Sequence, residues 1–148
     1  MKMDEIEKII FTSGTTIVGS TFVFLVSQFI SRFLIEPCYE QRRVIGLITE
    51  AMLNYMDLFA DSGDKPQDRV YEAAPQLRKL SSELIARTIA IPGYSLLSIF
   101  CLVRKYSEIK EASHQLIGLS NTVGQPDWER KMERMSKIAM NLGIDKLM

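Results

Sequence analysis

The residues able to do acid–base, nucleophilic or metal chemistry are few and widely spaced in this chain. His114 is the only histidine, and the two cysteines, Cys38 and Cys101, stand far apart. Zinc sites and thiol catalysis use Cys and His residues grouped in short motifs. The sequence contains no CxxC motif and no glycine-rich phosphate loop. These residues therefore do not predict a catalytic or zinc-binding site.

Two acidic pairs have a spacing that could gather a metal ion. They are Glu108 with Glu111 and Glu129 with Glu133, each pair separated by one helical turn. Each pair also has a basic neighbour, Lys110 or Arg130, which is typical of a solvated helix face. We therefore predict no catalytic residue, no cofactor and no metal site, and a protein that is not an enzyme.

The longest uncharged stretch runs from Ile9 to Ser31, 23 residues bounded by Lys8 and Arg32. A helix of this length rises roughly 34 Å, and the hydrocarbon core of a bilayer is about 30 Å thick. We expect this segment to span a membrane. A cleaved signal peptide is one alternative, although a small-x-small cleavage site is missing. A buried helix of a soluble protein is the other, although no apolar partner of matching length follows.

Five hydroxyl side chains of this segment lie on one face of a helix. At 100° per residue they share an arc of about 60°. We call this set the hydroxyl arc: Ser13, Thr16, Ser20, Ser27 and Ser31. Small hydroxyl residues let membrane helices approach closely and hydrogen-bond across the contact, so the arc predicts self-association. The alternatives are a water-filled pore lined by the arc, and hydroxyls that bond back to their own helix.

Basic residues flank the predicted span unequally. Arg32, Arg42 and Arg43 follow it, whereas Lys2 and Lys8 precede it. The positive-inside rule therefore favours a cytoplasmic C-terminal domain, and the three arginines are predicted to contact anionic headgroups. The unpaired cysteines agree with a reducing cytosol.

The remaining composition and periodicity predict a helical domain. The chain carries 18 Lys and Arg against 18 Asp and Glu, so its charge gives no basis for nucleic-acid binding. Apolar residues after the span recur every three or four positions, as they do in helices. We predict an all-α fold, with an N-terminal tail and transmembrane helix over residues 1–35 and a cytoplasmic bundle of four or five helices over residues 36–148.

Four apolar stripes define the faces expected to be buried in that bundle. The first comprises Val44, Ile48, Ala51, Met52, Tyr55 and Phe59, and the second Val70, Ala73, Ala74, Leu77, Leu80, Leu84 and Thr88. The third comprises Ile109, Ala112, Leu116, Leu119 and Val123, and the fourth Trp128, Met132, Met135, Ala139 and Leu142. Residues 88–103 are also uncharged but too short to span a bilayer. They predict a buried core helix or, alternatively, a segment lying in the membrane interface.

Three stretches together resemble a group of small bacterial proteins that have one N-terminal membrane helix and no assigned activity. They are FVFLVSQFISRFLIEPCYEQRRVIG, LRKLSSELIARTIAIPGY and EIKEASHQLIGLSN, which cover much of residues 22–121. The resemblance implies a bacterial inner-membrane location and no functional residue.

These observations predict a single-pass membrane protein that assembles a homo-oligomer through its transmembrane helix. The expected partners are the lipid bilayer, further copies of the chain and a separate protein that the sequence does not identify. The alternative is an oligomeric pore or membrane-permeabilising effector, for instance of a bacterial defence module.

Overall fold

A computed structural model describes residues 2–59, 67–99 and 103–145, and all regular secondary structure within them is helical. The helices are α1 (Lys2–Ile30), α2 (Glu36–Asn54), α3 (Met56–Phe59), α4 (Gln67–Ile89), α5 (Tyr94–Ile99), α6 (Tyr106–Thr122) and α7 (Trp128–Leu142). A π-helical stretch occupies Ser31–Ile35. The all-α prediction is confirmed for these residues, whereas Cys101 lies outside them.

The chain divides into two compact units, Met1–Glu36 and Pro37–Met148. The first unit contains α1, which belongs to the one helix of the described residues that is long and apolar enough to cross a membrane. Its apolar side chains are exposed, Phe11 to 76%. At the end of this unit the Glu36 N–H donates to the Ser31 carbonyl, which is the i→i+5 bond of a π-turn.

The second unit has a core that joins α2, α3, α4, α6 and α7. Every member of the predicted α2 and α6 stripes is buried, which confirms those two faces. In the α4 stripe, Val70 and Ala74 are half-buried and the others are buried. The most extensive contacts are those of α6, which packs against both α4 and α7. Helix α6 is therefore the central element of the core.

The predicted α7 stripe is wrong at its first position. Trp128 is 39% exposed, whereas Met132 is half-buried and packs against the core. Lys131 and Ile138 are fully buried. Trp128 is the first residue of α7, directly after the Asp127 carboxylate that accepts the Arg130 N–H at 3.2 Å. A residue at the very start of a helix has no preceding turn to cover it. Lys131 takes the buried place instead, and its whole side chain, Nζ included, is shielded from solvent.

The core-helix prediction for residues 88–103 is also wrong where the structure describes this segment. Helix α4 ends at Ile89, and Gly93 adopts a left-handed φ of 66° before α5 begins. Helix α5 has only six residues and buries none of them. Its Leu96 and Ile99 side chains are 64% and 73% exposed. The interfacial alternative for this segment stays a prediction.

Candidate functional site

The hydroxyl arc lies on the exposed surface of α1 and, at Ser31, in the π-helical stretch. The Thr16 hydroxyl donates to the Thr12 carbonyl at 2.9 Å, and the Ser20 hydroxyl to the Ile17 carbonyl at 3.0 Å. Hydroxyls outside the arc form the same bonds, namely those of Thr12, Thr15 and Thr21. Back-bonding is therefore a general property of the hydroxyls of α1 and does not distinguish the arc.

A shallow groove of about 680 Å³ lies on another face of α1, and sequence reasoning missed it. Its floor contains Gly14, Thr15 and Gly19, and Phe11 and Phe22 stand at its two ends. At 100° per residue, Gly14 and Thr15 lie about 100° from the nearest position of the hydroxyl arc, and Gly19 lies about 60° from it. The Thr15-x-x-x-Gly19 spacing matches the small-xxx-small pattern of close helix contacts. This spacing is the feature of the sequence that could have indicated the groove.

The three arginines predicted to contact headgroups have different surroundings. Arg32 is an exposed residue of the first unit, in the π-helical stretch. In the second unit, Arg43 pairs with Glu40 at 3.8 Å. Arg42 instead lines a cleft. The structure therefore does not describe the three as one cluster.

That cleft is a polar site of the second unit. It has a volume of about 530 Å³. Its described polar lining, which we call the basic cleft, comprises Gln41, Arg42, Ser98, Arg104, Lys105 and Glu108. Cationic side chains therefore outnumber carboxylates among the described residues of the cleft. The arrangement can bind an anion through Coulomb attraction and charge-assisted hydrogen bonds.

A hydrogen-bond network holds the elements around the basic cleft. The Gln41 amide nitrogen donates to the Thr88 hydroxyl at 2.8 Å and to the Tyr94 phenol oxygen at 3.2 Å. The Tyr94 hydroxyl in turn donates to the Arg104 carbonyl at 2.5 Å, at an exposed position. Because Gln41 is only 2% exposed, its bond to Thr88 is shielded from water. The network links α2, α4 and α5 to the segment that carries the basic pair Arg104 and Lys105.

The Arg104 guanidinium is positioned by two further features. It lies 3.9 Å from the Glu108 carboxylate, which also accepts the Lys105 N–H at 3.3 Å and so caps α6. It also lies directly over Gly143, where a Cβ atom would overlap it. Gly143 has a φ of 71° and ends α7 in the left-handed conformation, which favours glycine at this position.

Cys38 and Tyr94 stand beside the basic cleft, and burial raises the pKa of both groups. For Cys38 the Arg42 charge partly opposes that rise in pKa. For Tyr94, the hydrogen bond from Gln41 lowers the pKa, while Cys38 and Glu108 raise it. His114 is exposed on α6. Within residues 2–59, 67–99 and 103–145, no three His, Cys, Asp or Glu side chains converge as a metal site.

Alkylation of Cys38 should follow a pH profile shifted upward from that of an unstructured cysteine peptide. A raised pKa means a smaller thiolate fraction at a given pH, and the thiolate is the reactive form. Removing the opposing charge with Arg42→Gln should slow alkylation at pH 8 further. Arg43→Gln is the matched control, since Arg43 pairs with Glu40. The measurement is iodoacetamide labelling by mass spectrometry in a Cys101→Ser background, and equal rates for both variants would contradict the assignment.

Two features were not predicted from the sequence: the burial of Gln41, and the proximity of Arg42 to Arg104 and Lys105. A signal for Gln41 exists, because it stands three and seven residues before Val44 and Ile48 and so extends the buried α2 stripe. A polar residue in a buried stripe needs a hydrogen-bond partner and marks a network. No comparable signal connects Arg42 with Arg104, since about sixty residues separate them.

Comparison of the chain with protein-family models, with curated proteins and with solved structures gives no match. Its function therefore has to be argued from the surface of α1 and from the basic cleft.

Proposed function

We propose that this protein is a membrane-anchored interaction protein of a bacterial inner membrane, which assembles a homo-oligomer through its transmembrane helix. In this proposal α1 crosses the bilayer once, and residues 36–148 form a bundle of four or five helices in the cytoplasm. The observation that carries this proposal is the exposure of the apolar side chains of α1. No residue in the most apolar stretch of this long helix is buried within the protein. In water such a surface is unfavourable by about 25 cal/mol per Å² of apolar area, and a lipid environment removes that cost.

The hydroxyl arc supports self-association because its side chains are small and polar. A hydroxyl that donates to its own helix, as those of Thr16 and Ser20 do, still has oxygen lone pairs that can accept a bond from another chain. Small side chains also let two backbones approach closely. The Ile9–Ser31 segment carries no charged residue, so a dry helix contact has no desolvation cost from ionised groups.

The bacterial location and the orientation rest on the sequence. The resemblance to small bacterial membrane proteins supports an inner-membrane location. The excess of arginine after α1 supports a cytoplasmic C-terminal domain, where Arg32 and Arg43 would face anionic headgroups. A cysteine accessibility assay tests this orientation, since a membrane-impermeant reagent should label a cytoplasmic Cys38 only after the membrane has been permeabilised.

Replacing Ser20 and Ser27 together with leucine should weaken self-association about tenfold. Two interhelical contacts of this kind contribute roughly 1–3 kcal/mol. The measurement is the mass of the full-length protein in detergent, by analytical ultracentrifugation over a range of protein-to-detergent ratios. The matched control is Thr15→Leu with Thr21→Leu, which removes two hydroxyls of α1 that lie off the arc.

Each outcome of this comparison assigns the contact face. Dissociation of the arc variant alone supports the proposal. Dissociation of the control alone would move the contact to the groove that contains Thr15. A wild-type protein that is monomeric at every ratio would end the self-association proposal.

A second candidate function is an ion-conducting or membrane-permeabilising oligomer. The arc favours it, because hydroxyl groups from several helices would give a polar and uncharged lining. Dye and ion release from liposomes that contain the wild-type protein distinguishes the two candidates. Tight liposomes would exclude the pore and leave the interaction protein.

A further inference from the structure

We propose that the basic cleft binds a phosphate group, carried by an anionic lipid headgroup or by a soluble phosphate compound. The lining brings Arg42, Arg104 and Lys105 together with the carboxylate of Glu108. Among the described residues of this lining, cationic side chains outnumber carboxylates. Gathering like charges raises the local potential, and a bound anion lowers it.

The dimensions of the basic cleft suit a phosphate with an attached organic group. Ligand sites of small molecules have volumes of about 300–1,000 Å³, and the basic cleft has about 530 Å³. A phosphate alone would occupy only part of that space. The remaining volume is lined partly by the apolar side chains of Ile45, Val103 and Leu142.

The donors of the basic cleft match phosphate chemistry. A guanidinium presents a planar fork that bonds two phosphate oxygens at once, and a lysine ammonium adds a point charge. The ion pair between Arg104 and Glu108 is long, at 3.9 Å, and the Arg104 side chain is 45% exposed. An exposed pair of this kind contributes little stability, so Arg104 can turn to a phosphate at small cost.

The cleft is organised before any ligand arrives. The network from Thr88 through Gln41 and Tyr94 to the Arg104 carbonyl fixes the backbone that bears Arg104 and Lys105. Fewer groups must be ordered on binding when the donors are already positioned. The site lies wholly within residues 37–148, so it does not depend on self-association through α1.

The exposed face of α5 favours a lipid as the source of the phosphate. Ser98 lines the basic cleft, and the same helix exposes Leu96 and Ile99 to 64% and 73%. Exposed apolar side chains beside basic residues are the pattern of segments that lie on anionic membranes. A headgroup in the cleft would place acyl chains where α5 can contact them.

The test measures binding to the full-length protein in a neutral detergent by isothermal titration calorimetry. Three probes separate the sources: inorganic phosphate, dihexanoyl phosphatidylglycerol and the zwitterionic dihexanoyl phosphatidylcholine. Lys105→Gln should weaken binding of an anionic probe about tenfold, as expected for the loss of one charge-assisted hydrogen bond. Lys110→Gln is the matched control, because Lys110 is exposed on α6 and does not line the cleft.

A variant with the opposite expected effect guards against loss of folding as the explanation. Glu108→Gln removes the carboxylate found among the described residues of the lining and keeps a carbonyl oxygen that can cap α6. It should tighten phosphate binding severalfold, whereas damage to the fold would weaken it. Far-ultraviolet circular dichroism confirms that each variant keeps its helix content.

The outcomes are distinct. Binding of phosphatidylglycerol at least tenfold tighter than inorganic phosphate, and weakened by Leu96→Gln, supports the lipid source. Equal affinity for both anionic probes supports a soluble phosphate compound. Binding of neither, or binding that Lys105→Gln and Lys110→Gln leave equally strong, overturns the proposal.

Discussion

Replacing Ile109 with alanine is expected to lower the free energy of unfolding by about 2–5 kcal/mol. Ile109 is fully buried on α6, the helix that packs against both α4 and α7. The substitution removes apolar surface from the core and leaves a cavity that neighbouring helices fill only in part. Urea denaturation of the full-length protein in detergent, followed by circular dichroism, measures the change.

The matched control is Ile117→Ala, the same substitution on the same helix. Ile117 is 43% exposed, so its removal should cost less than about 1 kcal/mol. A similar loss of stability for both variants would show that α6 does not have the core position described here.

Introducing an arginine at Phe22 is expected to release the protein from membranes. Phe22 lies near the middle of the apolar part of α1 and is exposed there. The exchange of phenylalanine for arginine at mid-membrane raises the apparent insertion free energy by about 3 kcal/mol, or more than 100-fold in the equilibrium. Extraction of cell membranes at alkaline pH measures the retained fraction.

Phe22→Leu is the control and should remain in the membrane fraction. Release of the wild-type protein by the same extraction would favour a buried helix of a soluble protein. A mature protein whose mass lacks the residues of α1 would favour a cleaved signal peptide. Intact-mass measurement of the purified wild type therefore accompanies the extraction.

The buried faces of the helices could be predicted where the spacing of the apolar residues depends on burial alone. In α2 and α6 the residues of the predicted stripes recur at helical spacing over several turns, and every residue of these two stripes is buried. In α7 the pattern misled, because Trp128 is large and apolar but stands at the first position of its helix. Lys131 is buried, although its charge predicts an exposed position. Hydropathy alone cannot report either effect, since both depend on the packing of neighbouring elements.

The basic cleft could not be predicted because its groups come from separate parts of the chain. Arg42 lies near the start of α2, whereas Arg104 and Lys105 directly precede α6. In the sequence, Arg42 was indicated only as a basic residue that follows the predicted span. Their meeting depends on how α4 returns the chain to α2 and on the hydroxyl of Tyr94, which bonds the Arg104 carbonyl. The spacing of residues within one helix does not show which distant segments of the chain come together in the fold.

The central place of α6 also determines when this domain can fold during synthesis. A ribosome adding about 5–20 residues per second needs roughly 2–7 s to extend the chain from the end of α4 to the end of α6. Throughout that interval the buried faces of α2 and α4, with Leu77 and Leu84, lack the helix that covers them. Helix α1 has already left the ribosome by then. Helix α1 is therefore available before the second unit has a core. Under the proposed membrane anchoring, the chain would present this apolar surface to chaperones while it is already tethered.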